Sequence, residues 1–392
     1  MKQQGSRWLA LDVLRGAAVA GMIVVTSPGD WSRTYAPLRH AEWNGWTLAD
    51  MIFPTFLFAV GMALALSFPR AAEDGAWGRV ARRALALIAL GLALSTLDEL
   101  KNGFWFHDPG AGTLAHVRIP GILQRIALCY VLAAGLILTT ARTDAEGRRT
   151  IDSRAVGAAI AALLLFYWAL LSFVPVPGYG VGQLDPVGSL AAWIDRTVFT
   201  TPHMWRYGAA SFGGAVTYDP EGLLSTLPAT ANLLFGVLAA RAWQLDPGRA
   251  PVRIAVAGVV LLAAGLLLDP AFAINKKLWT SSFALLSSGF SALVLAVAIV
   301  ALRSDAVQRL AAPLRILGGN AILAFTLSIL LGVFAGLPFG SARITPQVWG
   351  NRIALGIIRD PYLASYACAL AILALITLIL WPLHRRGLHL RL

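Results

Sequence analysis

The sequence predicts an all-α protein, a polytopic integral membrane helix bundle of about ten transmembrane helices that forms a single domain over residues 1–392. Apolar side chains make up 57% of the chain, charged side chains only 13%, and the mean hydropathy is +0.68. Because a soluble domain has about a quarter of its residues charged, the apolar excess must lie in lipid. The composition also excludes a disordered chain, and two cysteines are too few for a disulfide scaffold.

Ten apolar runs, bounded by charged residues, Pro or Gly, are long enough to cross a bilayer core, which requires roughly 20 residues of helix. The first run contains Asp12 and Arg15 and is followed by no small-residue cleavage pattern, which favours a retained span over a cleaved leader. No repeat or low-complexity segment marks a second domain. The predicted spans cover residues 8–27, 47–68, 81–97, 119–140, 155–174, 223–243, 252–268, 278–302, 314–336 and 363–381.

The distribution of basic residues orients these spans. Ten spans place both termini on one side of the membrane, and that side carries 19 of the 32 Lys and Arg residues, against 11 on the opposite side. Since basic residues favour the cytoplasmic side, both termini are predicted to be cytoplasmic. The net charge of +12 then reflects topology and does not predict a nucleic-acid partner.

The loops on the opposite side are longer and richer in aromatic residues, which predicts a functional site outside the membrane or at depth in the bundle. The longest loop, residues 175–222, contains Trp193, Trp205, Tyr207 and Tyr218. This mixture is typical of an ordered loop that stacks on sugars, and equally of an interfacial aromatic belt.

Ionisable residues inside the predicted spans are functional hypotheses, because a charge in lipid costs at least about 2.5 kcal/mol. Asp12 and Arg15 lie three residues apart on one helix face, either as a structural ion pair or with Arg15 holding an anion. Arg118, Gln124 and Arg125 surround a Pro-Gly helix start, an arrangement typical of phosphate binding. The alternative for Arg125 is an ion pair across helices, with Asp12 or Asp50.

The densest polar and aromatic neighbourhood surrounds His40, just before the second span. Trp43, Asn44 and Asp50 follow it within a few residues. An imidazole with a pKa near 6.5 can remove a proton from an amine or hydroxyl, or can accept an acyl group. His40 is therefore the predicted catalytic histidine. The weaker candidates are His107 and His116, and solvated or interfacial positions are expected for His203, His384 and His389.

Three further polar patches lie at the ends or breaks of spans. Asp219 and Glu221 precede the sixth span, where they either orient the histidine, bind an amino sugar or cap the helix. Asn275 and Lys276 precede the eighth span and either meet an anionic ligand or lie at the membrane interface. Asn320 follows two glycines inside the ninth span, as a buried amide donor or a helix contact. No metal-binding spacing, P-loop or dinucleotide fingerprint is present, which predicts a protein without a metal.

Several of these motifs, taken together and in order, resemble the heparan-α-glucosaminide N-acetyltransferase family and its bacterial relatives. The resemblance covers nearly the whole chain. It implies a transmembrane acetyltransferase that moves acetyl from cytosolic acetyl-CoA to the amino group of a glucosamine-type sugar or oligosaccharide on the periplasmic side of the bacterial inner membrane. It lies in residues 11–16, 40–45 with 50–58, 118–125, 218–224, 275–279 and 319–322.

The resemblance also implies that His40 matches the family's active-site histidine, as an acetyl carrier or a general base near the periplasmic face. The family often has Asn in the turn after the first span, where this chain has Thr26 and Ser27, so one of these must take its place or the detailed mechanism differs. Residues predicted to bind the coenzyme are Arg15, Arg118, Gln124, Arg125, Asn275, Lys276 and Asn320. Residues predicted to bind the acceptor are Trp43, Asn44, Asp50, Asp219 and Glu221.

Two alternatives remain open at this point. One is a secondary transporter or flippase for a sugar or an anionic lipid, although the halves of the chain show no repeat symmetry. The other is an O-acetyltransferase that acts on a surface polysaccharide or a lipid-linked sugar. Spans rich in Ala, Gly and Leu, such as residues 81–97 and 369–380, predict a homodimer surrounded by membrane lipid.

Overall fold

A computed structural model describes residues 2–71, 75–103, 111–145, 147, 149–211, 214–340 and 343–388. Within these ranges the regular secondary structure is almost entirely α-helix. The α-helices are α1 (Lys2–Thr26), α2 (Leu48–Ala71), α3 (Ala76–Asn102), α4 (Ile122–Thr140), α5 (Ser153–Phe173), α6 (Leu190–Phe199), α7 (Thr226–Leu245), α8 (Ala250–Leu268), α9 (Ser281–Ala301), α10 (Asp305–Leu310), α11 (Ala312–Gly319), α12 (Ala321–Ala335), α13 (Pro346–Ile358) and α14 (Pro361–Arg385). A two-stranded antiparallel turn joins β1 (Arg142–Thr143) to β2 (Arg149–Thr150).

The predicted all-α membrane bundle is confirmed. Among the described residues, eight helices are long and apolar enough to cross a bilayer, namely α1 to α5, α8, α9 and α14. Helices α11 and α12 pass the same test as a pair but are bent by 89°, so they form one broken span or a re-entrant loop. The bend falls at Asn320, within the predicted ninth span.

The predicted sixth span differs from the other nine. It corresponds to α7, a 20-residue helix that is not apolar enough to count among the candidate spans. The physical reason is its position, because α7 packs against α2, α4, α5 and α9 in the middle of the bundle. A helix surrounded by protein can carry polar groups such as Thr230 and Asn232, both of which are buried and hydrogen-bonded.

Close backbone contact fixes α7 against α2. A Cβ atom on Gly61 would lie 1.8 Å from the carbonyl oxygen of Leu233, and one on Gly236 would lie 1.9 Å from that of Phe58. These two glycines let the helices approach to a distance that no other residue permits. The N-terminal end of α2 and the residues that lead into α7 therefore lie close together, and both contribute to the site described below.

A buried polar network joins α7 to α9. The amide of Asn232 donates to the Ser287 and Ser288 hydroxyls at 3.0 and 2.7 Å, and it accepts from the indole Nε1 of Trp279 at 2.7 Å. All four side chains are fully buried. A buried amide with satisfied donors and acceptor allows essentially one arrangement of its partners, so the network fixes the turn between α8 and α9.

Candidate active site

His40 is held by a carboxylate at the start of α2. Thr47 is the residue before the helix and Asp50 is its third residue, and the Asp50 carboxylate accepts from the backbone N–H of Thr47 at 2.9 Å and of Ala41 at 3.1 Å. This is a capping-box arrangement, in which a first-turn side chain satisfies the free N–H groups before the helix. The other carboxylate oxygen lies 2.8 Å from Nδ1 of His40. The bond fixes the orientation of the imidazole ring. Because a carboxylate only accepts, the neutral ring carries its proton on Nδ1 and donates it to Asp50.

Lys276 lies against the same imidazole. Its Nζ atom is 3.0 Å from Nδ1 and 3.3 Å from Nε2 of His40, and 3.5 Å from the Asp50 carboxylate. Two residues from opposite parts of the chain, 236 positions apart, thus meet at one histidine. The imidazole therefore has one positive neighbour, Lys276, and one negative neighbour, Asp50.

The turn that carries Lys276 is joined directly to the loop that carries His40. The backbone N–H of Gly45 donates to the carbonyl of Ile274 at 2.7 Å, and the Asn275 amide donates to the Asn44 side chain at 3.1 Å. The Asn275 side chain also accepts from the backbone of Leu278 at 2.8 Å. The predicted residues Asn44 and Asn275 therefore hold two loops together, next to the histidine.

The environment keeps His40 neutral at neutral pH. Partial burial and the positive charge of Lys276 lower the pKa of His40 below its ordinary value of 6.5, and the bond to Asp50 only partly opposes them. Burial also lowers the pKa of Lys276, against the attraction of Asp50. The His40 side chain remains 43% exposed, so a substrate can reach it. A neutral, accessible imidazole is suited to act as a base or a nucleophile.

Arg118 is bonded to protein carboxylates. Its guanidinium makes two parallel bonds to Asp219 and a further bond to Glu221. Burial alone would lower the pKa of Arg118, but the two carboxylates raise it, so the cation is permanently charged. Asp219 also accepts from the backbone of Trp205 at 2.7 Å. The predicted coenzyme ligand Arg118 and the predicted acceptor ligands Asp219 and Glu221 thus form one ion cluster.

Arg125 is a fully buried cation with unpaired donors. It is 1% exposed, its Nη2 donates to the Gly222 carbonyl at 2.8 Å and to the Ser225 hydroxyl, and it stacks on Trp279 with 5.1 Å to the ring centroid. Its Nε and Nη1 atoms are buried and have no hydrogen-bond partner among the described residues. A cation with unmatched buried donors is suited to an anionic ligand.

The alternative pairing of Arg125 with Asp12 or Asp50 does not occur, since those carboxylates bond Arg15 and His40 instead.

Trp279 supports this arginine from an unusual backbone conformation. It lies in the turn after Lys276, and its φ of 55° is in the left-handed region, which is disfavoured for a bulky residue by about 1–3 kcal/mol. The indole is fully buried, with edge contacts to Phe53 and Phe283 and the bond to Asn232. The surrounding contacts offset this strain.

Aromatic side chains border the site on the side of the long loop. Trp43 donates its indole N–H to the carbonyl of Leu184 at 2.8 Å and packs edge-on against Tyr218, with 4.9 Å between ring centroids. The Nζ atom of Lys277 lies 5.8 and 5.7 Å from these two rings. Trp43, a predicted acceptor residue, is therefore part of an ordered aromatic wall that includes residues of the loop 175–222.

Two predicted coenzyme residues lie elsewhere. Arg15 bonds Asp12 at 2.8 Å, as the three-residue spacing predicted, and also the carbonyl of Gly318. Asn320 lies at the bend between α11 and α12 and donates to the Leu388 carbonyl at 3.3 Å. Arg15 is eleven residues before the end of α1, which is about 16 Å along the helix axis. Arg15 and Asn320 thus form a second polar point inside the bundle, apart from His40.

The remaining predictions are placed as follows. Thr26 ends α1, and its hydroxyl donates to the carbonyl of Met22 at 2.8 Å, within its own helix. Ser27 is buried. His107 and His389 lie outside the described residues.

Asp195 is a buried acidic residue near the site that is not among the residues predicted from sequence. It lies on α6, is 2% exposed, and accepts from the backbone of Leu223 at 2.9 Å, in the segment that holds Arg125. Burial raises the pKa of Asp195 to about 7, and the nearby charge of Asp219 acts in the same direction. The available signal was a single acidic residue on the apolar face of a short helix, inside a segment interpreted as a loop.

The fold and the site together define a class of protein, a polytopic α-helical membrane protein in which a carboxylate and a lysine hold an exposed histidine at one end of the helix bundle. The family model for heparan-α-glucosaminide N-acetyltransferase, catalytic region, matches residues 7–143, which contain His40, Asp50 and Arg125. The predicted resemblance is confirmed, because the chain is similar both to this family model and to curated proteins of the same name.

Two curated relatives carry that name. The Homo sapiens protein is 28% identical over 329 residues, which cover 74% of this chain and 48% of the human protein. The Mus musculus protein is 27% identical over 334 residues, which cover 76% of this chain and 49% of the mouse protein. The chain spans about half the length of the curated relatives it matches.

Proposed function

We propose that this protein is a transmembrane acetyltransferase that takes acetyl from acetyl-CoA and transfers it to the amino group of a glucosamine-type sugar, with His40 at the reaction centre. The observation that carries the proposal is an imidazole held between Asp50 and Lys276, with the unmatched donors of Arg125 on a cation close enough to Lys276 to act on its charge. The names of the relatives supply the reaction class, and the site supplies groups suited to it.

Asp50 has a positioning role in this proposal. Because its carboxylate accepts only, the proton of the neutral ring is on Nδ1 and the lone pair is on Nε2. The charge of Lys276 disfavours protonation of that lone pair. When Nε2 takes up a proton or an acyl group, the ring becomes positive, and the buried carboxylate stabilises it.

Two routes fit this arrangement. In the two-step route, Nε2 of His40 attacks the thioester carbon, the C–S bond breaks and the coenzyme leaves as a thiolate. The sugar amine then attacks the acetyl-imidazole, so that a C–N bond to the sugar forms, the bond to Nε2 breaks and the amine proton passes to the freed Nε2. In the one-step route, the amine attacks the thioester carbon directly, the C–S bond breaks, the coenzyme leaves as a thiolate and Nε2 takes the amine proton.

The coenzyme, in this proposal, is bound by cationic and amide donors near the histidine. The free Nε and Nη1 donors of Arg125 suit a phosphate or the developing oxyanion. In this proposal Arg15 and Asn320, at the second polar point, bind another part of the extended coenzyme. The positive-inside distribution supports entry from the cytosol and a periplasmic His40 in an inner-membrane protein.

The test is acetyl transfer by purified, detergent-solubilised protein, with coenzyme release and acetylated glucosamine measured together. We expect the wild type to turn over and His40→Gln to lose about 100-fold or more in kcat. Arg39→Ala is the matched control, because Arg39 is the exposed neighbour of the histidine and is expected to keep full activity. A folded His40→Gln protein with wild-type turnover would remove the histidine from the mechanism.

The same preparations separate the two routes and test the assembly. Incubation with labelled acetyl-CoA without a sugar, followed by mass spectrometry of the peptide that contains His40, detects acetyl-imidazole only in the two-step route. Light scattering of the solubilised protein tests the proposed homodimer. Coenzyme release without any sugar dependence across several amino sugars would contradict the proposed acceptor.

A further inference from the structure

A cavity of about 600 Å³ lies beside the candidate active site. It is enclosed by the second half of α3, the start of α4 and residues 201–216 of the long loop, with Leu94 and Phe325 at its apolar end. This volume is within the range of about 300–1,000 Å³ that is typical of small-ligand sites.

The cavity contains an amide with an unused donor. Gln124 lines it and is 8% exposed, and its Nε2 is buried and has no hydrogen-bond partner among the described residues. A buried amide N–H without a partner is destabilising, and a ligand oxygen that accepted from it would remove that cost. The Gln124 amide occupies the space beside Gly91 of α3, which has no side chain. A Cβ atom on Gly91 would lie only 2.3 Å from Oε1 of Gln124.

The charged residues of the cavity do not suit a polyphosphate. Arg118 is bonded to Asp219 and Glu221, and Arg206 is bonded to Glu99 at 3.2 Å. Asp98 also lines the cavity, and its carboxylate is bonded to Lys101 at 2.5 Å. The charged groups of the cavity are therefore paired with one another, which suits a polar ligand with hydroxyls better than a polyphosphate.

Aromatic side chains connect the cavity to the site of His40. Trp205 and Tyr207 line it with their ring centroids 5.8 Å apart, and Trp205 lies 6.4 Å from Tyr218, which in turn packs on Trp43. Arg118 lines the cavity, while its partner Glu221 is close enough to His40 to act on its charge. The cavity is thus adjacent to the histidine.

We infer that this cavity binds the acceptor, an amino sugar whose hydroxyls accept from the Gln124 amide and whose ring packs on Trp205. This inference rests on the proposed function for the identity of the sugar. It moves Gln124 from the coenzyme, to which sequence analysis assigned it, to the acceptor.

The test measures binding of glucosamine and of acetyl-CoA separately, by isothermal titration of the full-length solubilised protein, together with both KM values. Gln124→Leu removes the amide, and Gly91→Ala displaces it with a methyl group. Gly157→Ala is the matched control, because a Cβ there meets nothing within 4 Å. We expect the first two variants to weaken glucosamine binding about tenfold, with acetyl-CoA binding unchanged, and the control to match the wild type.

Each outcome decides one question. Unchanged glucosamine binding in both cavity variants, or a wild type that binds no glucosamine, overturns the inference. Weaker acetyl-CoA binding in these variants assigns the cavity to the coenzyme and also overturns it. If the wild type binds glucosamine, the two variants lose that binding and no protein transfers acetyl, the sugar site stands and the proposed function fails.

Discussion

Replacement of Lys276 by Met should shift the pH dependence of the reaction, because the aliphatic length is kept and the charge is removed. The Nζ atom is 3.0 Å from Nδ1 of His40, and the ring is 43% exposed, so a solvent-like dielectric constant applies. Two unit charges at that distance in water interact by about 1.4 kcal/mol, which corresponds to about one pKa unit. The pKa of His40, now lowered by burial and Lys276, should therefore rise by about one unit in Lys276→Met.

The sign of the effect on the rate follows from the role of the neutral ring. A higher pKa means that His40 becomes protonated, and inactive, at a higher pH. The acidic limb of kcat/KM against pH, measured by coenzyme release from about pH 5 to about pH 9, should move upward by about one unit.

Lys277→Met is the control for this experiment, since the Lys277 ammonium bonds the Glu42 carbonyl and faces Trp43 instead of the imidazole. An acidic limb that stays in place or moves downward in Lys276→Met, in a protein that still binds acetyl-CoA, would refute the electrostatic reasoning.

Three further predictions concern single buried groups. Asp50→Asn should lower kcat by about 100-fold to 10,000-fold with little change in KM, because the His40 ring loses its orienting carboxylate. Steady-state kinetics measure both constants, and a changed KM with an unchanged kcat would contradict the prediction. Arg125→Met should weaken acetyl-CoA binding about tenfold or more, measured by isothermal titration, and unchanged affinity would mean that its free donors bind no part of the coenzyme. Asn232→Ala should lower the free energy of unfolding by about 1–3 kcal/mol because the Trp279 indole loses its acceptor; thermal unfolding in detergent, with the exposed Thr139→Ala as control, measures the difference.

The bundle could be predicted from sequence because lipid leaves a local signal, a long apolar run bounded by polar residues. The signal fails where a helix is surrounded by protein, as α7 is, since its buried polar residues then lower its hydropathy. It also fails at Asn320, where a continuous apolar run contains an 89° bend. Helix α6 is too short and lies in a segment too mixed in composition to be separated from a loop.

The candidate site could be predicted residue by residue but not as an arrangement. His40 and Asp50 are close in sequence, and the start of a helix brings them together. Lys276 reaches the histidine from 236 positions away, and Arg118 reaches Asp219 from 101 positions away. Such pairings depend on which loops meet at one end of the bundle. The sequence of one loop does not indicate which other loop it will contact. Gln124 shows the consequence, because its motif indicated phosphate, while nothing in the sequence indicated that its cavity would also contain ion pairs of Arg118 and Arg206 with protein carboxylates.

The left-handed backbone of Trp279 makes the chemistry dependent on the completeness of the fold. The turn with Lys276 is held in that conformation by an indole whose partners belong to α2, α4, α7 and α9. Relaxation of any one of these helices would release the turn and withdraw the lysine from the histidine. On gradual heating, the effect of Lys276 on the pKa of His40 should therefore disappear before helical content is lost, and the acidic limb of kcat/KM should move to higher pH. The pH profile of the rate would then report loss of native packing earlier than circular dichroism does.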